Sequence, residues 1–319
     1  MVVHLICKAM LPPIIDPVDV ALLKSELNEK TFLRNTNRGN NEIYVVNNEC
    51  APNVLREIGR LREVSFRAVG GGSGTECDLD HFDLDDKACF QLVVWNPEAD
   101  EIIGGYRFTK WSMASFHENG QPYVNTEHLF DFSQKFIDEY FPYCIEMARA
   151  FVQPKYQSAQ MGRKALFALD NLWDGIGGLV ATDPSVKYLS GKVTIYSSSP
   201  ELSRKAMVYY LDKYFGDREG LITSKNPELW TPEQAEMFDE MFTGANYKEN
   251  YQILNNYVKS MGDTIPPLIH SYIGLSETMK TFGTTFDPDF GDCYDTAMII
   301  TIADIYKEKY DRYIASYFE

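Results

Sequence analysis

The chain has no basic excess, no long apolar run, no paired cysteines and no low-complexity tract, and each absence removes a class of function. Lys and Arg number 30 against 46 Asp and Glu, a net charge of −16. Nonspecific nucleic-acid binding rests on neutralising phosphates with cations, so DNA and RNA are excluded as expected partners. The most apolar late stretch, TAMIITIADIY, falls well short of the roughly 20 residues a spanning helix needs and carries Asp304. The six cysteines (Cys7, Cys50, Cys77, Cys89, Cys144, Cys293) are scattered, with neither a CxxC pair nor a metal-type spacing. The five histidines (His4, His81, His117, His128, His270) are equally dispersed. No Ser-His-Asp or Cys-His order emerges, packing or surface roles suit the histidines, and no metal is expected. The opening MVVHLICKAMLPP is too short and proline-broken for a secretory apolar region. The cytoplasm is the expected compartment, with peripheral contact at the inner face of the membrane left open.

What is present fits a folded α/β protein. At 319 residues the chain has room for one large domain or a core with an appendage. Three parts are expected: an N-terminal helix and strand in 1–50, a core in 51–216, and a helical C-terminal part in 217–319 that completes or caps the same sheet. DPVDVALLKSELNEKTFL has helical spacing and NEIYVVNN reads as a strand. PNVLREIGRLREVSFRAV, 52–69, is a stronger helix, with Val54, Ile58, Leu61 and Ser65 on one stripe and Pro52 at its start. A loop rich in acids follows. CFQLVVWN and EIIGGYRFT, joined by PEAD, form a hairpin. A helix near 133–140, a strand at 143–152, a helix at 162–181, the strand KYLSGKVTIYS and the helix PELSRKAMVYYLDKYF complete an α/β order around a mixed sheet.

The strand CIEMARAFV places Glu146 and Arg149 in an apolar setting. Side chains alternate along a strand, so residues three apart point to opposite faces unless a bulge realigns them. Paired structural charges and a reactive site are equally open readings at this point. Downstream, QPKYQSAQMGRKA turns from strand to helix through Gln157, Gln160, Gly162, Arg163 and Lys164. A helix start with a glycine and cations suits an anion, and an ordinary solvated helix end is the plainer reading. Upstream, Arg62 and Phe66 lie one turn apart on a helix, Asp80 and Asp83 lie in the acidic loop, and Arg107 ends the hairpin.

In this order, Arg62-x3-Phe66, Asp80-x2-Asp83, Arg107 and Glu146-x2-Arg149 resemble the pattern of acyl-homoserine-lactone synthases, which are GNAT-like enzymes. Those carry a Trp six residues after the Phe, where this chain has Gly72. LREVSFRAVGGGSG, DLDHFD, LVVWNPEADEIIGGYR, EMARAFVQPKYQ, LFALDNLWDGIGGLV, PPLIHSYI and DPDFG more closely resemble the GNAT-like amino-acid N-acyltransferases of bacterial aminolipid synthesis. This family comprises the ornithine-acyl-carrier-protein N-acyltransferases and their glycine-acylating relatives, and the likeness spans roughly residues 52–305.

The resemblance implies a GNAT-like fold, a central mixed sheet flanked by helices. It also implies transfer of a fatty acyl group, 3-hydroxylated in this family, to the α-amine of glycine or ornithine. The donor it implies is an acyl carrier protein thioester, carried on 4′-phosphopantetheine, or an acyl-CoA, as co-substrate without a permanently bound cofactor. Acyl carrier protein and the amino acid are then the partners. Glu146 is the implied general base, directly or through water, and Arg149 orients it or binds the acceptor carboxylate. Arg62, Phe66, Asp80, Asp83 and Arg107 are implied substrate-binding residues, and Gln157, Gln160, Gly162, Arg163 and Lys164 hold the pantetheine phosphate. QMGRKA has a lysine where coenzyme A loops carry a second small residue, which suits a single carrier phosphate better than a pyrophosphate. Lys155, Arg204 and Lys205 extend the basic patch that an acidic carrier would need. Tyr209 or Tyr210 is a candidate to protonate the leaving thiolate, against the plainer reading of half-buried aromatics among 20 tyrosines.

Overall fold

Both faces of the central hairpin are apolar, which dictates a sheet covered on two sides. The computed structural model describes residues 11–85, 87, 89–157 and 163–318, with backbone only at 163–166. Helix α1 (Val20–Glu26) and strands β1 (Phe32–Asn35) and β2 (Glu42–Val46) lead into α2 (Pro52–Arg67) and the short α3 (His81–Leu84). The hairpin is β3 (Cys89–Asn96) and β4 (Glu101–Lys110). There follow β5 (Phe130–Phe132), α4 (Gln134–Glu139), β6 (Cys144–Val152), α5 (Pro154–Gln157), α6 (Arg163–Thr182), β7 (Tyr188–Ile195) and α7 (Glu201–Phe215). The last third holds β8 (Ile222–Ser224), α8 (Pro232–Met241), α9 (Tyr247–Ser260), α10 (Pro267–Ile273), β9 (Lys280–Asp287), β10 (Cys293–Thr301) and α11 (Lys307–Tyr313).

Among the described residues, eight strands form one mixed sheet in the order β1-β2-β3-β4-β6-β7-β10-β9. Along β3, Leu92 and Val94 face a core with Leu172 and Ile176 of α6 and Met207 of α7, whereas Val93 and Trp95 face Val54, Ile58 and Leu61 of α2. That alternation is the period-two signature of a strand buried on both sides. Further along the α2 face, a third cluster gathers Trp111, Phe132, Phe136 and Phe141 with Ala297 and Ile299 of β10.

Two irregularities shape the middle of the sheet. Arg107 pairs with Ala148 but Gly105 pairs with Phe151, so Tyr106 alone opposes Arg149 and Ala150. This is a β-bulge, and Arg149 takes φ +50° within it. Gly104 and Gly105 permit the close approach, because a Cβ on either would strike the Phe151 or Leu92 carbonyl. The second irregularity is a splay. Parallel pairing of β6 with β7 runs from Cys144↔Tyr188 to Met147↔Gly191 and stops there, although the strands continue to Val152 and Ile195. The edges beyond are left without strand partners across the gap.

The tail contributes full strands rather than short ones. β10 pairs antiparallel with β7 from Thr301↔Tyr188 to Tyr294↔Ile195, and β9 forms the sheet edge beyond it. Leu254 and Val258 of α9 and Phe238 of α8 join the core under α7. The acidic loop contains a helical turn, α3, held by a reciprocal capping box between Asp80 and Asp83.

Candidate active site

A cavity of about 450 Å³ opens where β6 and β7 part. Ala148, Arg149 and Ala150 line it from one strand, and Lys192, Val193 and Thr194 from the other. Phe66 of α2 lines it on one face of the sheet, and Leu268 of α10 borders it from the helical layer on the other. The opening therefore passes through the sheet.

Beside the cavity three guanidinium groups and three carboxylates interlock. Arg62 donates through Nε to Asp78 at 3.0 Å and through Nη1 and Nη2 to Asp83 at 3.1 and 2.8 Å. Arg107 Nη1 reaches both oxygens of Asp80 at 2.8 Å and Asp83 at 3.2 Å. Arg149 donates to Asp78 at 2.5 Å and more distantly to Asp80 at 3.5 Å. Burial pushes the Asp78 and Asp83 carboxyls up, but Arg62 with Arg149, and Arg62 with Arg107, outweigh it and hold Asp78 below, and Asp83 well below, the ordinary range. Arg62, Arg107 and Asp83 are buried away from the cavity wall, Asp80 is half-buried, and Phe66 and Arg149 line the wall. The buried three brace the wall instead of touching what fills it. The bulge turns Arg149 toward this network, on the same sheet face as Glu146. Asp78, two positions before Asp80, is a bridging member the sequence pattern did not single out.

Glu146 is 1% exposed and is absent from the cavity lining. Trp111 Nε1 donates to its Oε2 at 3.1 Å, and the Thr126 hydroxyl donates to Oε1. Direct contact of this carboxylate with an acceptor amine is therefore not what the fold provides. Instead it secures the single-turn 3-10 helix Asn125–His128, whose Asn125, Glu127 and His128 line the cavity.

The end of the cavity nearer β9 and β10 is acidic. Lys192 pairs with Asp295 at 3.1 Å, and Thr194 donates to Asp295 at 2.7 Å. His128 Nε2 faces Asp287 at 3.6 Å. Burial raises Asp287, while His128 and Lys192 pull it below its usual value. Lys192 is a charge in an apolar strand, the same signal that drew attention to Glu146. Asp287 and Asp289 belong to the DPDFG block, whereas His128 left no pattern in the sequence.

Several expected contributors lie elsewhere. Tyr210 is buried with its hydroxyl on the Tyr247 carbonyl at 2.7 Å, and Tyr209 packs against Trp230 and Phe238; neither lines the cavity. Arg204 is 9% exposed, held by Glu228 at 3.2 Å and stacked 4.0 Å from the Tyr294 ring, so it is not open to a partner. Lys155 pairs with Glu101 at 2.6 Å, and Gln157 donates to the Val152 carbonyl at 2.6 Å at the end of β6. Gln160 and Gly162 lie outside the described residues, and Arg163 and Lys164 fall in the first turn of α6. Burial pushes the Cys144 thiol well up, which keeps it unreactive. Among the described residues no group of three or more His, Cys, Asp or Glu is placed to hold a metal, and no helix is long and apolar enough to cross a membrane.

Residues 61–166 match the family described as acetyltransferase (GNAT) domain. The chain is 46% identical over 305 residues to a glycine N(alpha)-acyltransferase of Phocaeicola vulgatus, covering 95% of this chain and 93% of that one. It is also 46% identical over 306 residues to a glycine N(alpha)-acyltransferase of Bacteroides thetaiotaomicron, covering 96% and 90%. A solved CoA-dependent acyl-homoserine lactone synthase is similar with a TM-score of 0.38 and 12% identity, over 86% of this chain and 89% of that one.

Proposed function

Because the chain belongs to the glycine N(alpha)-acyltransferase family and is thus an N-acyltransferase of GNAT type, we propose that it moves a 3-hydroxy fatty acyl group from acyl carrier protein to the α-amine of glycine in bacterial aminolipid synthesis. The observation that carries this reading is the through-going cavity between β6 and β7, with Arg149 on its wall.

Arg149 receives the glycine carboxylate. Its guanidinium has five N–H donors, of which Asp78 and Asp80 engage only some. A planar fork held by the buried Asp78 and the half-buried Asp80 is prepared to take a bidentate anion. Phe66 and Phe290, whose ring centres are 5.1 Å apart, crowd the space beside the anchor, and the Arg149 guanidinium lies 5.1 Å from the Phe290 ring. That crowding favours an acceptor without a side chain. The thioester enters along the gap, and its carbonyl oxygen meets N–H groups on the unpaired edge of β6 between 148 and 152, which stabilise the oxyanion of the tetrahedral intermediate. The lysine in QMGRKA favours a carrier phosphate over the coenzyme A pyrophosphate. Glu146 is a positioning residue that fixes the 125–128 turn through Thr126.

Thiol release from 3-hydroxyacyl carrier protein, and from the matching coenzyme A ester, is to be followed with single amino acids in turn. Release with glycine and the carrier donor is expected, with ornithine and the coenzyme A ester slower. No release with any amino acid overturns the reading. Arg149→Gly keeps the bulge, since glycine adopts φ +50° freely, and is expected to raise the glycine KM by about tenfold or more with a smaller change in kcat.

A further inference from the structure

In the neutral form of its ring, His128 leaves a hydrogen missing between itself and Asp287. The imidazole Nδ1 lies within hydrogen-bond reach of the Asn125 carbonyl, and a carbonyl only accepts, so in the neutral ring Nδ1 carries the hydrogen. Nε2 then presents its lone pair toward Asp287 Oδ2, 3.6 Å away. While the ring is neutral two acceptors face each other across that distance, and a hydrogen joins them only when Nε2 is protonated or an outside donor enters. The carboxylate is 3% exposed and the imidazole lines the cavity. An ammonium, with three N–H donors, satisfies both acceptors at once.

We propose that Asp287 receives the ammonium of the acceptor amino acid and that His128 Nε2 is the general base that removes its proton. This rests on the reading that the acceptor is an amino acid. The turn that carries His128 is held from behind by Thr126 on Glu146 and by Lys225 Nζ, which donates to the Glu127 carbonyl at 2.6 Å. Its position is therefore set by the buried Thr126 and Glu146 and by the exposed Lys225, although the ring itself is open. The steps balance as follows. One ammonium proton passes to Nε2 and from there to solvent. The freed nitrogen pair bonds to the thioester carbonyl carbon, the C–S bond breaks with its electrons on sulfur, and the second nitrogen proton ends on the thiolate. Charged and titratable groups around His128 are Glu127, paired with His117, on its own segment, Asp287 from β9, Asp289 just after it, Lys192 from β7, Asp295 from β10, Arg149 from β6 and His81 from α3.

The test compares His128→Gln with the wild type, using 3-hydroxyacyl carrier protein and either glycine or hydroxylamine, a nucleophile already unprotonated at neutral pH. General-base loss is expected to lower kcat with glycine by about 10²-fold or more and to remove the acid-side limb of the kcat profile. Hydroxylamine turnover is expected to stay within about threefold of wild type, since that acceptor needs no base. Asp287→Asn is expected to raise the glycine KM about tenfold. Unchanged glycine turnover with the acid limb intact overturns the proposal. Equal loss with both acceptors also overturns it, because His128 would then support the site without handling the proton. Wild-type protein that releases thiol with hydroxylamine but with no amino acid overturns the acceptor reading itself, and this is read before any variant is made.

Discussion

Arg62 and Asp83 meet fork to fork, Nη1 to Oδ1 at 3.1 Å and Nη2 to Oδ2 at 2.8 Å, with neither side chain open to solvent. Each charge is tolerable there only because the other is present, and removing one partner of such a pair costs about 3–5 kcal/mol. Arg62→Met is therefore expected to lower the urea unfolding free energy by about that amount. A loss under about 1 kcal/mol, the range of an exposed pair, would contradict the burial.

Acid should act on the molecule in two opposed stages. Burial raises Asp174 to about 6, against hydrogen bonds from Asn37. Its folded value lies above the unfolded one, so its penalty is present above about pH 6 and is relieved as pH falls toward about 4. Asp78 and Asp83 have folded values below the unfolded one, so the stability they give is whole above about pH 4 and is lost as pH falls further. Chemical-denaturation midpoints are expected to hold or rise between about pH 6 and 4 and to fall steeply below that. In Asp174→Asn the first stage should vanish while the second remains.

Glu146 separates positioning from proton transfer. Glu146→Ala strands the Trp111 N–H and the Thr126 hydroxyl, and unsatisfied buried donors cost about 1–3 kcal/mol each. Glu146→Gln keeps one accepting oxygen and is expected to lower kcat with glycine much less than His128→Gln does. If Glu146→Gln instead abolishes kcat at unchanged thermal stability, the carboxylate itself takes part in the proton's path.

The elements with strong internal periodicity were legible in the sequence: α2 from its stripe and Pro52, the hairpin from two apolar runs around PEAD, and β6 and α6 from their apolar faces. The eight-residue β9 and nine-residue β10 were legible only as short strands of uncertain place, because what fixes them is pairing with β7, far away in the chain. The four-residue edge strand β1 has burial on one side only, and its first two residues, Phe32 and Leu33, were read with the helical run DPVDVALLKSELNEKTFL, whose helix ends at Glu26. Glu146 and Arg149 illustrate the limit at the site. Strand periodicity demanded a bulge if they were to share a face, yet the bulge is made possible by Gly104 and Gly105 on another strand. Lys192, Asp287 and His128 come from three segments whose meeting depends on the splay, so spacing could not reveal them.

That splay also has a kinetic consequence. A cavity lined from both faces of a sheet offers each co-substrate its own wall, so the carrier arm need not depart before the acceptor arrives. Double-reciprocal plots of rate against donor at several glycine concentrations should intersect, the mark of a ternary complex. Parallel lines would mean that the acyl group is parked on the protein between two half-reactions, and Cys144, the thiol on β6, is buried where no carrier arm can hand it one.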